Sequence, residues 1–239
     1  MSFGRFSNLW KGEKAILVAG GPSLNDIPVD ILNRELTFSV SLVYKLEHFT
    51  PYYHFIGDKN IAIQHLDEIE ELRIAGLFVS NGIRKLFTNP KSPIYAFRGH
   101  PKVEFCKNPY NGVHGGGTST FLAMQFAYFM GIQELYCVGL DHYEKLDEQL
   151  KQVNETGIAQ AGFPLVETKG EDINHFTKDY YPEGTKWFIP QVERMAKSYQ
   201  MAREVYEEAG RKIYNASTRT VLDEKYLPRI DFNEVTWEN

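Results

Sequence analysis

Seven short apolar runs, each closed by a glycine or a polar turn, recur along the chain: Ala15–Ala19, Thr37–Leu42, His54–Gly57, Leu77–Ser80, Ile94–Phe97, Glu134–Gly139 and Lys212–Asn215. Such runs suit strands covered on both sides, which need apolar groups on both faces and so lose the strict alternation of a half-exposed strand. Between several of them lie stretches with helical spacing. Ile61, Ile63, Leu66, Ile69 and Leu72 predict a helix over 61–72, with acidic residues on its other side. Thr118 to Met130 is apolar nearly all round, as a buried helix is. From Pro190 to Ala209, Val192, Met195, Ala196, Tyr199, Ala202, Val205, Tyr206 and Ala209 form a stripe that Gly210 is placed to cap. Strands alternating with helices predict an α/β domain: Rossmann-like, with a largely parallel sheet flanked by helices.

Composition narrows the function classes. A formal net charge of −5 over 239 residues, with no basic run, excludes a grip on nucleic acid by counterion release. The longest apolar stretch, Phe121 to Met130, falls well short of the ~20 residues that cross a bilayer, so no transmembrane segment is expected. Peripheral membrane contact stays open. Cys106 and Cys137 are far apart, without CxxC spacing or a His-rich neighbourhood, so neither a disulfide framework nor a metal site is expected. The first twenty residues lack a secretory core, and a cytoplasmic setting is expected. No repeat is visible, and residues 1–239 are read as a single domain. Its one irregular excursion is polar and Gly-containing, from Glu144 to Asn174, and is read with the residues up to 189 as a lid or small subdomain that Trp187 anchors on its return. Phe3, Phe6, Leu9 and Trp10 have near-helical spacing and are expected to pack on their own domain.

Four places can carry chemistry. The first strand runs into Gly20-Gly21-Pro22-Ser23-Leu24, a tight turn expected to open a helix whose N-terminal amides and dipole can hold a phosphate. In an α/β sheet this is where a nucleotide sits, although GxGxxG and the Walker lysine are both absent. A second turn, Gly115-Gly116-Gly117-Thr118-Ser119, opens the buried helix, where glycines admit close approach and a hydroxyl can cap the helix or bond a phosphate. Val138-Gly139-Leu140-Asp141-His142-Tyr143 delivers an acid, an imidazole and a phenol from a buried strand end. Alternation along that strand sends Asp141 and His142 apart. Finally, Asn174-His175-Phe176 and Asp179-Tyr180-Tyr181-Pro182 set a histidine among aromatics after the excursion. Imidazoles titrate near neutrality, so His175 can take a proton from a hydroxyl if an aspartate orients its ring. Asp58, closing the third strand, is either a hydroxyl or magnesium contact or a helix N-cap.

Ala19-Gly20-Gly21-Pro22-Ser23-Leu24, Gly116-Gly117-Thr118-Ser119, Gly131-Ile132-Gln133-Glu134-Leu135-Tyr136, Val138-Gly139-Leu140-Asp141-His142, Asn174-His175-Phe176, Asp179-Tyr180-Tyr181-Pro182 and Asn215-Ala216-Ser217 together resemble the MptE-like domain family. That family includes archaeal 6-hydroxymethylpterin diphosphokinase and polysaccharide-locus proteins, and it is similar to the motility accessory factor (Maf) flagellin glycosyltransferases. The same order of motifs resembles the bacterial CMP-sialic acid sialyltransferases, which are metal-independent, inverting enzymes with a flexible lid. By that resemblance Gly21, Pro22, Ser23, Thr118 and Ser119 would hold the nucleotide, with Gly20, Gly116, Gly117, Gly139 and His142 beside them. Ser41 would fall where those transferases carry an asparagine at the end of the second strand. The strand end would fall on Asp141, which can accept from a ribose or sugar hydroxyl, and on Tyr143 as the phosphate-binding tyrosine, and His175 would be the general base.

These implications make a nucleotide-sugar glycosyltransferase of surface polysaccharide, lipopolysaccharide or glycoprotein assembly the leading expectation. Its donor would be CMP-linked by preference, its acceptor a glycan or lipid-linked glycan, and it would need no cofactor. The alternatives are a pterin diphosphokinase using ATP and Mg2+, whose carboxylates would be Asp58 and Asp141, and a non-catalytic nucleotide- or sugar-binding module.

Overall fold

The computed structural model describes residues 3–145, 150–152 and 164–237. All seven expected strands form, as β1 (Lys14–Val18), β2 (Thr37–Val40), β3 (Tyr53–Ile56), β4 (Gly76–Ser80), β5 (Ile94–Phe97), β6 (Glu134–Val138) and β10 (Lys212–Asn215). They make one parallel sheet in the order β10-β6-β1-β2-β3-β4-β5. From β1 the chain steps outward to β5, then returns to lay β6 on the other side of β1. The strand order therefore reverses between β1 and β6, and the crevice beyond the carboxyl ends there is the usual ligand position of an open α/β sheet.

Helices cover both faces, as a parallel sheet demands. Helix α5 (Ser119–Met130) makes the return crossing over β1, β2 and β3 and is buried over most of its length, with α6 (Val192–Glu208) against it. Below them lies an aromatic layer in which the Phe55 and Phe78 rings stack at 4.7 Å, continued by Tyr95, with Phe126 tilted against Phe78. A smaller core on the opposite face joins Ile56, Leu77, Val79 and Ile94 to α2 (Lys59–Gln64), α3 (Leu66–Glu70) and α4 (Asn81–Arg84). Phe3 and Phe6 are buried in the aromatic layer and Trp10 Nε1 donates to Tyr53 Oη, so the N-terminal aromatics do pack on their own domain. Only Leu9 of that set is exposed.

Three local expectations fail for identifiable reasons. The helix expected over 61–72 is broken at His65, which ends α2 and starts α3 while its Nδ1 meets Glu68 Oε1 at 3.2 Å. Ile63, two residues after the buried Ile61 in α2, faces solvent at 52% exposure. No α-helix opens at Pro22. A five-residue 3-10 turn, Pro22–Asp26, stops at Ile27, because the residue before Pro28 is driven to extended backbone (ψ 127°), and α1 (Val29–Arg34) begins only afterwards. Nor is the excursion after β6 wholly irregular. It contains an antiparallel sheet of β7 (Leu150–Gln152), β8 (Leu165–Thr168) and β9 (Lys186–Phe188). Residues 146–149 and 153–163 of the expected lid lie outside the described residues. Trp187 anchors the return as expected: it is buried in β9, stacks on Tyr181 at 5.1 Å and donates to Thr168 Oγ1, while Gln64 of α2 exchanges two hydrogen bonds with Lys186. Among the described residues, no helix is long and apolar enough to cross a membrane.

Candidate functional site

A cavity of about 460 Å3 opens at the carboxyl ends of β1, β2, β3 and β6, between the start of α5 and the two ends of the excursion. Most residues singled out from the sequence line it: Gly20, Gly21, Ser41, Asp58, Gly116, Gly117, Thr118, Ser119, Gly139, Asp141, His142, Tyr143 and His175. Pro22 and Ser23 do not.

Asp141 explains that exception. Its Oδ2 accepts the Ser23 backbone N–H at 2.8 Å and its Oδ1 accepts the Ser23 hydroxyl, so the amide and hydroxyl assigned to a phosphate are already held by a carboxylate. An anion does sit on the Gly-Gly-Pro-Ser turn, and it is the protein's own. Burial pushes the Asp141 carboxyl above its ordinary range, although both Ser23 bonds pull the other way. The paired glycines serve the same junction. The β1–β6 ladder continues past the strands through Ala19 N–H to Val138 O and Gly21 N–H to Gly139 O, so the two exits stay within hydrogen-bond distance. Gly139 has φ +65°, and a Cβ there would run into the Ala19 carbonyl. A Cβ at Gly20 would lie 2.7 Å from Tyr180 Oη. His142, also at positive φ, meets the edge of Tyr199, where burial lowers its pKa. Tyr143 reaches the cavity as a 55% exposed side chain.

On the far side, Thr118 Oγ1 caps α5 by accepting from Thr120 N–H, and Ser119 Oγ accepts from Gly57 N–H at 3.0 Å. The second turn thus ties β3 to α5 while its glycines face the cavity. Asp58 is the N-cap of α2, with Oδ1 2.7 Å from Asn60 N, and burial raises its pKa.

The most organised chemistry stands where the excursion begins and ends. Asp172 Oδ1 accepts the backbone N–H groups of Asn174 (2.8 Å) and His175 (3.1 Å), a side-chain turn that leaves Oδ2 2.8 Å from His175 Nδ1. A carboxylate can only accept, so Nδ1 carries the proton and Nε2 is left as the basic nitrogen. The imidazole lies flat on Tyr180, with centroids 3.9 Å apart and planes within 3°, and Tyr181 meets its edge at 4.9 Å. Tyr180 Oη in turn accepts Leu42 N–H, fixing the platform to the end of β2. Asn174 bridges the two limbs, donating to Glu144 Oε1 and Lys145 O while accepting Lys145 N–H. Burial, helped by the Asp172 charge, pushes the Glu144 carboxyl up to about 8.

The expected orienting aspartate exists, and it is Asp172. Neither Asp172 nor Glu144 was singled out from the sequence, although Asp172-Ile173-Asn174-His175 has the spacing of an Asp side-chain turn followed by a ring three residues on. One group among the described residues has the donors and closeness for a metal ion: His100, Glu104 and Cys106, beside the exit of β5. Compared with known proteins, the chain matches no family model, no curated protein and no solved structure.

Proposed function

We propose that this chain is an inverting glycosyltransferase, which binds a nucleotide-sugar in the switch-point cavity and uses His175 as the base that deprotonates an acceptor hydroxyl. The observation that carries the reading is the Asp172–His175 pair: a buried carboxylate fixes the tautomer, an aromatic platform fixes the ring plane, and the basic nitrogen belongs to a ring that lines the cavity. A base held this way gains typically 10²–10⁴-fold over an unassisted transfer. The glycines and hydroxyls at the start of α5, with the phenol of Tyr143, are placed to meet the donor's phosphates. Glu144, protonated at neutral pH beside the dyad, is able to donate a hydrogen bond to an acceptor or departing oxygen.

The geometry weighs against diphosphate transfer through the carboxylates first considered for magnesium. Both oxygens of Asp141 serve Ser23, and Asp58 caps α2. In keeping with the sequence resemblance, a CMP-linked sugar is the preferred donor and a glycan of a surface polysaccharide or glycoconjugate the preferred acceptor.

Thermal unfolding against CMP, UDP, GDP and ATP, each with magnesium and with EDTA, tests the donor class. A nucleotide at 100 times its Kd adds about 2.7 kcal/mol, which raises Tm by roughly 5–10 °C for a domain of this size. The expected result is a shift with CMP that survives EDTA, followed by loss of sugar transfer in His175→Ala. A shift confined to ATP with magnesium, or full transfer by the alanine variant, overturns the reading.

A further inference from the structure

The two cysteines were expected to have no histidine company, yet the fold gives Cys106 a set of donors. The segment after β5 runs outward and returns, with Gly99 bridged to Val113, so His100 and His114 line the cavity while Glu104 and Cys106 gather beside His100. One donor atom from each of His100, Glu104 and Cys106 lies within 4.8 Å of the others.

Three details favour a metal ion over a chance grouping. His100 Nδ1 is 3.4 Å from the Lys102 carbonyl, an acceptor only, so Nδ1 holds the proton and Nε2 presents its lone pair to Glu104 Oε1, also 3.4 Å away. Two such atoms are held together either by a proton, as in a His–Glu ion pair, or by a metal ion between them. Zinc bonds of about 2.0–2.1 Å to nitrogen and oxygen put two tetrahedral ligands roughly 3.4 Å apart, the same separation. The third donor is a buried thiol that lies 4.0 Å from the Glu104 carbonyl oxygen and whose sulfur accepts the backbone N–H of His114, a bond of the outer-shell kind that would stabilise a metal-bound thiolate. The His100–Lys102 bond plays that outer-shell part for the imidazole. His114 itself is not a fourth ligand, because its Nδ1 accepts Gly116 N–H at 3.0 Å and its other nitrogen then carries the proton.

We propose that His100 Nε2, Glu104 and Cys106 Sγ form a binding site for zinc or a similar borderline divalent ion at the edge of the cavity, where His100 lines it. Three protein ligands leave the fourth position to a water molecule, as in open zinc sites. The donor set, with one thiolate and one imidazole, selects zinc or cobalt over magnesium.

The test is a Co2+ titration of the 239-residue chain after chelator treatment and desalting. Saturation at one equivalent is expected, with a thiolate-to-cobalt charge-transfer band and the intense visible bands of four-coordination, all displaced by Zn2+. Cys106→Ser should abolish the charge-transfer band. His100→Ala and Glu104→Gln, at partly exposed side chains, should weaken binding by at least ~10-fold, the smaller loss typical even of outer-shell partners. If circular dichroism shows that Cys106→Ser does not fold, these two variants decide alone. Absence of the band at one equivalent, its persistence in folded Cys106→Ser, or unchanged affinity in both His100→Ala and Glu104→Gln overturns the site.

Discussion

Replacing Glu144 by glutamine isolates the electrostatics of the site without needing a substrate. The carboxyl sits where the excursion leaves β6, accepts Asn174 Nδ2 at 3.0 Å, and is pushed from an ordinary 4.5 to about 8 by burial first and the Asp172 charge second. An unfolded chain releases this proton near 4.5, whereas the folded one holds it until about 8. Between those values the native state binds more protons, so stability is fully present below the lower value and is lost as pH rises towards the upper one. Each tenfold difference in proton affinity is about 1.4 kcal/mol, which puts the whole interval at about 5 kcal/mol. Solvent in the cavity screens part of this, so roughly 2–3 kcal/mol is the expected observable. Glutamine keeps the shape and the Oε1 acceptor but cannot ionise. Urea unfolding of both proteins at pH 5, 6, 7 and 8 should show the variant gaining on the wild type across that range. The difference is the quantity to read, because His54 works in the opposite sense. Burial pulls its imidazole down to about 4, so its contribution is lost as pH falls below its ordinary 6.5, and it cancels between the two proteins. A difference that stays constant from pH 5 to pH 8 would refute the argument, since it would mean that Glu144 titrates as a solvated side chain.

Asp172→Asn should lower kcat for sugar transfer by ~10²–10⁴ with little change in KM, because the ring keeps a partner but loses the acceptor that sets its tautomer; an unchanged kcat removes Asp172 from the mechanism. Asp141→Ala should cost about 2–3 kcal/mol in denaturant unfolding, since it strands a buried Ser23 N–H. A double-mutant cycle with Ser23→Ala should return coupling of about 1 kcal/mol or more, and additivity would show that the pair does not hold the turn. Gly139→Ala adds a Cβ at φ +65° against the Ala19 carbonyl and should destabilise by more than ~2 kcal/mol in the same assay. Trp187→Ala should cost about 3–5 kcal/mol and speed limited proteolysis within the excursion; proteolysis at the wild-type rate would mean that β9 is held by other contacts.

The sheet was legible because a strand covered on both faces has to be apolar throughout, and Ile16, Leu17 and Val18 or Leu135, Cys137 and Val138 declare that without reference to anything distant in the chain. The same reasoning fails where the outcome turns on a single residue. Ile61 to Leu72 is a sound helical pattern, but the helix is interrupted at His65, and periodicity alone does not report such a break. The turn at Pro22 was read as a helix start from its glycines and serine. The deciding residue was Pro28, five positions past Ser23, which forces the chain to extend first.

The site divides along the same line. Local chemistry marked Gly139, Asp141 and His175, but the contacts that fix the site also reach far along the chain: Ser23 is 118 residues from Asp141, and Asn174 is 30 from Glu144. Sequence motifs therefore overstate the free polar groups at a cavity, because half of a buried pair looks the same as a group awaiting a ligand. Asp141 satisfies the Gly-Gly-Pro-Ser turn from within, so on the proposed function the donor's phosphates would be met at the second glycine turn and the start of α5. Asp172 works in the other direction. Four residues, Asp172 to His175, form a turn that spends one carboxylate oxygen on two backbone amides and the other on an imidazole, and so turn a solvated histidine into an oriented base. Because Tyr180 ties the ring to the end of β2 while Asn174 ties the turn to Glu144 after β6, that base is registered to the sheet and not merely to its own loop. Loosening either tie should therefore impair transfer even with Asp172 and His175 intact: Asn174→Ala should lower kcat while leaving nucleotide-induced stabilisation unchanged, and equal losses in both would place Asn174 in folding alone.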